Sequence, residues 1–337
     1  MASASDEEHL ASLREMSRPG GPLTLDSASA TTRNPEWWTD GRPEYDREVL
    51  HDRLLAEKRA ARPGVRQNRR AILMAGPPGA GKSRARDELL GSRANEYVVI
   101  DPDEFKVDLL AQAEADGTYE RWVVPDAVRR REAEGERFFP MELSSLVHEE
   151  SDYLARRLER QCLADGDDVI LDTVLSSDAK ARDLARRLEA AGYDVQVVDV
   201  EVPREVSEER IRTRWREGNA LAEKGEGLGG RWVPSEFGAW VYGEPGGGSR
   251  PEANARMVAE ESPAVSRYRV YRTTAEQAEA GTGPSLETDM TRATRGGPLV
   301  PTRTGPAAEV LQARALPGIR RAVGPSRSTG AGRGRGR

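Results

Sequence analysis

The chain has 337 residues, 37% of them apolar and 32% charged, with a net charge of −6; this mixture builds a core but gives no overall basic character for wholesale nucleic-acid or membrane binding. A single cysteine, Cys162, excludes an intramolecular disulfide framework and a multi-cysteine zinc site, and three histidines make a His-based metal centre a poor expectation. The acidic start lacks the apolar core of a signal peptide, and no stretch approaches the roughly 18 apolar residues that span a bilayer, so a cytoplasmic protein with no membrane contact is expected.

Residues 1–43 are rich in Ser, Ala, Thr, Gly and Pro without sustained periodicity and read as a disordered leader, in which Trp37-Trp38 is expected to dock on the domain surface. A helical pattern from Tyr45 to Ala61, stopped by Pro63-Gly64, leads into a domain spanning 44–275. Within it, Ala71 to Ala75, Tyr97 to Asp101, Val169 to Asp172, Val195 to Val202 and Tyr268 to Tyr271 read as buried strands. Helical segments near Lys82 to Leu90, Asp103 to Ala113, Leu143 to Ala164, Asp178 to Ala191 and Arg204 to Arg216 alternate with them. That alternation predicts an α/β fold with one parallel sheet of about five strands, covered by helices on both faces and carrying its site at the carboxyl ends of the strands. After Thr274 the periodicity fades, and 276–337 reads as a disordered tail with eight Arg against one Glu from Thr302 onward. Weak nucleic-acid contact through this Arg/Gly tail and a solvated tail without a specific partner both stay open.

The string Gly76-Pro77-Pro78-Gly79-Ala80-Gly81-Lys82-Ser83 follows the first strand and opens a helix. This G-x-x-x-x-G-K-S spacing, in that context, is a phosphate-binding loop: the glycines let successive N–H groups point at phosphate oxygens, and the helix adds its positive end. Lys82 reaches the β- and γ-phosphates and the Ser83 hydroxyl ligates Mg²⁺, so ATP or GTP with Mg²⁺ is expected.

Moving a γ-phosphoryl group to a hydroxyl needs a carboxylate to orient the acceptor and cations to neutralise the transferred charge. The second strand ends in "VVIDPDEF": Asp101 suits an N-cap, Pro102 the first helical position and Glu104 a capping box, which leaves Asp103 without a capping role and placed as a candidate base. Further on, Arg210 with Arg214 and Arg212 with Arg216 share helix faces, ordinarily solvated. The glycines at 218, 225, 227, 229 and 230, ending at Arg231, turn that region into a candidate lid carrying arginines over the nucleotide. In "MELSSLVHEES", Glu142, His148, Glu149 and Ser151 are candidates for an acceptor pocket, although a Glu pair near a helix start also serves the helix dipole and a lone His is commonly a packed residue. Cys162 reads as a small buried residue, and Trp215, Trp232 and Trp240 as packing of the lid rather than base stacking.

Taken in order, "AGPPGAGKS", "VVIDPDEFK", "VHEESDYLARRL", "VILDT", Arg214 and "GRWVP" resemble the zeta-toxin family of P-loop kinases over about residues 70–240. The resemblance implies ATP- and Mg²⁺-dependent phosphorylation of UDP-N-acetylglucosamine on a sugar hydroxyl, and an antitoxin partner protein. It also implies Asp103 as the catalytic aspartate, Lys82 as the phosphate-loop lysine, and Arg214 and Arg231 as the two arginines on the γ-phosphate. Where zeta toxins carry a Glu-Gly-Thr type string after the third strand, this chain has Asp172-Thr173-Val174, so Asp172 and Thr173 stand as the acceptor-gripping candidates and the exact sugar is open. A kinase for a nucleic-acid end or another metabolite, and a nucleotide-binding module without transfer activity, are the rival readings.

Overall fold

The structure is a computed structural model that describes residues 4–243 and 248–302. Its elements run in chain order as α1 (Ala4–Met16), the hairpin β1 (Trp38–Thr39) and β2 (Arg42–Pro43), α2 (Tyr45–Ala60), β3 (Arg70–Ala75), α3 (Lys82–Leu90), β4 (Val98–Ile100), α4 (Pro102–Ala115) and α5 (Asp126–Ala133). They continue as α6 (His148–Asp165), β5 (Val169–Asp172), α7 (Asp178–Ala190), β6 (Asp194–Glu201), α8 (Arg204–Ala222) and α9 (Ser235–Tyr242). The last are α10 (Arg250–Glu261), β7 (Val265–Arg272), α11 (Ala275–Glu279), β8 (Ser285–Thr291) and β9 (Val300–Pro301).

The main sheet has the order β4-β5-β3-β6-β7-β8-β9. The five expected strands are all parallel, and β8 and β9 extend the sheet antiparallel beyond β7. Both faces are covered. Along β3, Ala71, Leu73 and Ala75 face one core with α4, α6, α7 and α10, while Ile72 and Met74 face the other beneath α3, as a doubly covered parallel sheet requires. No helix among the described residues is long and apolar enough to cross a membrane.

Three sequence expectations need correction. The leader is ordered where it is described: Leu10 and Leu13 of α1 are fully buried and Leu23 is 1% exposed, so the segment joins the core instead of trailing from it. One short apolar stripe at 10, 13 and 16 leaves too little periodicity to read locally, and its burial depends on partners far along the chain. The expected docking of the Trp pair does hold: Trp38 packs edge-on against Tyr153 at 5.2 Å, and Arg47 lies over Trp37 at 4.4 Å. Second, order continues past residue 275, because β8 pairs with β7 through a strand, SLETDMT, whose polar residues on both faces suit a sheet margin. The Arg-rich segment from 303 on lies outside the described residues. Third, the helix expected from Leu143 begins at His148; Pro140–Val147 is 3₁₀, and α5, α9 and α10 were not anticipated.

Candidate active site

The phosphate loop joins β3 to α3. Gly76 has φ 136°, and a Cβ built there would lie 2.2 Å from the Val200 carbonyl oxygen, so only glycine lets the loop press against β6. On the other side α8 ties the loop down: the Ser207 hydroxyl donates to Pro78 O at 2.7 Å, and the Arg210 guanidinium donates to Gly79 O at 3.4 Å and Ala80 O at 3.2 Å. Pro77, Pro78 and Ala80 are buried, and the first amides of α3, which have no partner within a helix, start at Lys82 and Ser83. The Lys82 ammonium caps the loop by donating to Gly76 O at 3.2 Å and stands 3.7 Å from Asp172 Oδ1.

Strand register sets the acidic residues around this loop. Met74 is level with Asp172, Ala75 with Asp199 and Ile100 with Leu171, which places Asp101 and Asp172 on one side of the loop and Asp199 on the other. Asp101 caps α4 through a 2.8 Å bond from Asp103 N–H, with Pro102 at the start, but Glu104 does not close a capping box and instead pairs with Lys58 at 3.1 Å. Burial first, then the charges of Asp172 and Glu104, push the Asp101 carboxyl up to about 7, against the opposing pull of Lys82 and Arg231. The electrostatics of the second strand end therefore already join the loop lysine, the lid arginine and two carboxylates.

Asp103, two-fifths exposed in the first turn of α4, has both carboxylate oxygens engaged. Oδ1 accepts from Lys106 Nζ at 3.0 Å, and Oδ2 forms an ion pair with Arg231 Nη1. Arg231 arrives on the glycine-rich segment after α8, which folds back on that helix: Gly230 N–H donates to Asn219 Oδ1 at 2.7 Å, and a Cβ on Gly230 would meet the Trp215 carbonyl oxygen at 2.0 Å. Trp215 and Trp232 are buried as lid packing, whereas Trp240 is 44% exposed beneath Arg250.

The remaining sequence candidates divide. Arg214 is exposed on α8, and Arg210, one turn earlier on the same face, is the arginine that touches the phosphate loop. Thr173 lies beside the loop, its N–H bonded to Met74 O at 3.2 Å and its hydroxyl oxygen accepting from Leu175 N–H at 3.0 Å. Leu175 has φ 56° and is held by Asn254, whose side-chain amide donates to its carbonyl at 2.8 Å; a strained non-glycine residue in this loop had no sequence signal. His148 stands 4.0 Å from Asp152, its pKa lowered by burial and by the Lys106 charge, so it borders the Asp103–Lys106 pair. Ser151 donates to His148 O at 2.8 Å, and Glu149 accepts from Thr32 at 2.7 Å, away from Asp103. Glu142 is no pocket residue. It is 1% exposed and accepts from Phe139 N–H, Trp215 Nε1, Asn219 Nδ2 and His9 Nε2 at 2.8 to 2.9 Å, tying α1, the 3₁₀ turn, α8 and the lid together. Two residues that sequence reasoning left without a role, Arg210 and Lys106, are among the best placed; the one signal for Lys106 was its position in the "DPDEFK" string.

Residues 72–227 match the family model described as an AAA domain. No curated protein matches the chain. Among solved structures the fold is similar to a chain of the AvrRxo1-ORF1:-ORF2 complex with ATP, at TM-score 0.52 and 18% identity, covering 77% of this chain and 71% of that one. It is also similar to a chain of the same complex with sulphate ions, at TM-score 0.51 and 19% identity over 82% and 76% of the two chains. A looser overlay joins it to the PezAT toxin–antitoxin system of Streptococcus pneumoniae, at TM-score 0.48 and 17% identity over 75% and 83%. The chain thus has an α/β P-loop fold, shared with the chains of the AvrRxo1-ORF1:-ORF2 complexes.

Proposed function

We propose that the protein is an ATP-dependent phosphotransferase of zeta-toxin type, moving the γ-phosphoryl group of ATP to a hydroxyl of a sugar nucleotide, with UDP-N-acetylglucosamine as the leading acceptor. The observation that carries this reading is the carboxylate of Asp103, presented by the first turn of α4 and in contact with the lid arginine Arg231 beside the phosphate loop. A nucleotide-binding module without transfer chemistry has no use for a carboxylate so placed.

The residues fit a magnesium nucleotide. The loop is a cradle that a Cβ at Gly76 would spoil, Lys82 crosses its mouth, and the Ser83 hydroxyl is exposed at the start of α3. Mg²⁺ at Ser83 would supply charge neutralisation on the phosphates, taking most of its remaining ligands from phosphate oxygens and water. Lys82 binds the β- and γ-phosphates; Asp103 orients the acceptor hydroxyl and takes its proton; Arg231 closes over the transferring group, with Arg214 of α8 as the second arginine on it. Asp172 and Thr173 face the acceptor from the end of β5. An antitoxin-like protein partner belongs to the same reading, since the AvrRxo1 structures are of a two-component complex.

The test is transfer from γ-labelled ATP, with Mg²⁺, to UDP-N-acetylglucosamine and to an RNA oligonucleotide in parallel. Label on the sugar nucleotide supports the proposal. Label on the RNA moves the function to a nucleic-acid end kinase, and label on neither removes this acceptor assignment.

A further inference from the structure

Lys106 is 6% exposed, and a lysine this buried is seldom found unpaired. Its partner is the candidate base itself: Lys106 and Asp103 lie one turn apart on α4, with Nζ 3.0 Å from Oδ1. The other oxygen of Asp103 is held by Arg231. An ion pair on each oxygen makes the carboxylate a weaker base, and Arg231 crowds Oδ2, the oxygen that would meet an acceptor hydroxyl, while each oxygen keeps a second lone pair.

The two cations differ in what they can do next. Arg231 rides on the glycine-rich lid, and its guanidinium suits phosphate oxygens bidentately, so a triphosphate at the loop competes for it with more negative charge than one carboxylate carries. Lys106 is anchored by a buried stem on α4 and stays. We propose that Lys106 is a positioning residue for the transfer, its ammonium group holding the Asp103 carboxylate ionised and aimed at the acceptor once Arg231 has left that carboxylate for the γ-phosphate. This inference rests on Asp103 being the base. In the step itself the acceptor O–H bond breaks and its proton passes to Asp103 Oδ2. The acceptor oxygen bonds to the γ-phosphorus as the bond from that phosphorus to the bridging oxygen breaks, and ADP leaves with the electron pair. Lys106 keeps its proton throughout.

The groups facing Lys106 are Asp103 and Asp101 at the start of α4, and Asp152 and His148 on α6, with Lys180 of α7 reaching Asp152 at 3.9 Å. Burial dominates them and brings the Lys106 ammonium down to about 8. The pairing is therefore charged at neutral pH and weakens just above it, which predicts a fall in transfer rate on the alkaline side.

Lys106→Met, Lys106→Arg and Asp103→Asn separate the possibilities. In Lys106→Met, kcat falls about 100-fold, within the range of a general base's contribution, with the KM for ATP little changed. Lys106→Arg recovers most of that loss and abolishes the alkaline fall. A readout free of activity is competitive acetylation of the five lysines, resolved by mass spectrometry across pH. Lys106 should label with a half-point near 8 in the wild type, moving to lower pH in Asp103→Asn as its counter-charge disappears. Identical labelling of Lys106 in wild type and Asp103→Asn, or a Lys106→Met enzyme with wild-type rate and pH profile, overturns the inference. Full activity in Asp103→Asn instead removes the base assignment on which it rests, while the labelling still reports whether the two side chains are coupled.

Discussion

Glu142 offers a sharp test of how the lid is held. Its carboxylate accepts four hydrogen bonds in a nearly dry setting, one from Phe139 N–H on Oε2 and three from Trp215, Asn219 and His9 on Oε1. Glu142→Gln keeps the shape but turns one oxygen into a donor. With its oxygen left facing the three side chains, the new amide points a donor at Phe139 N–H; turned around, it would oppose three donors. One buried unpaired donor costs about 1–3 kcal/mol, and loss of charge assistance in the remaining bonds adds about 1 more, for about 3 kcal/mol in all. The effect depends on pH through His9. Burial alone would lower the His9 pKa, but its contacts with Glu142 and Glu136 outweigh burial and raise it. A raised folded pKa contributes stability that is full below the unfolded value of about 6.5 and is lost as pH rises through the folded one. The cost of Glu142→Gln should therefore be larger at about pH 6 than at about pH 8.5, read as a urea midpoint lowered by about 1 M at the lower pH. A cost below about 0.5 kcal/mol, or one equal at both pH values, would refute the hub.

The phosphate loop and the β6 carboxyl pair give two further expectations. Gly76→Ala must place a Cβ against the backbone of β6 at φ 136°, a conformation that costs about 1–3 kcal/mol, so both the unfolding midpoint and ATP affinity should fall; unchanged nucleotide binding by titration calorimetry would count against the loop geometry. Asp199 and Glu201 are buried side by side on β6, with Ser249 donating to Glu201 at 2.7 Å. Both carboxyls are raised well above the carboxylate range, first by burial, and then by Glu252 acting on Asp199 and by Asp199 acting on Glu201. Their stabilising contribution is full below the unfolded carboxylate pKa of about 4 and is lost as pH rises through neutrality. Asp199→Asn should therefore flatten the decline in stability between about pH 5 and pH 8, measured by urea unfolding, and an unaltered slope would show that the pair does not share its proton load.

Where local chemistry dictates conformation, the sequence was legible. The phosphate loop follows from glycines at positive φ, which side-chain-bearing residues seldom adopt, the five parallel strands from apolar runs buried on both faces, and the Asp101 cap from an Asp-Pro pair. Arg231 could be placed on a lid because glycines cluster before it. What escaped depends on partners distant in the chain. The stripe of α1 means little until it meets the core, and β8 is too polar on both faces to announce a strand. Glu142 looked like dipole chemistry or pocket lining because nothing local shows that Trp215, Asn219 and His9 converge on it. Lys106 sat in plain view, but its significance lies in burial, which a charged residue in an acidic helix start does not advertise.

The central claim is that Asp103 is the base of a phosphoryl transfer at this loop. Single-turnover transfer by Asp103→Asn, with ATP binding measured on the same preparation, tests it most directly. The account predicts a rate lowered by about 100- to 10,000-fold with ATP affinity held within a few-fold of wild type. An Asp103→Asn protein that transfers phosphate at the wild-type rate would contradict it.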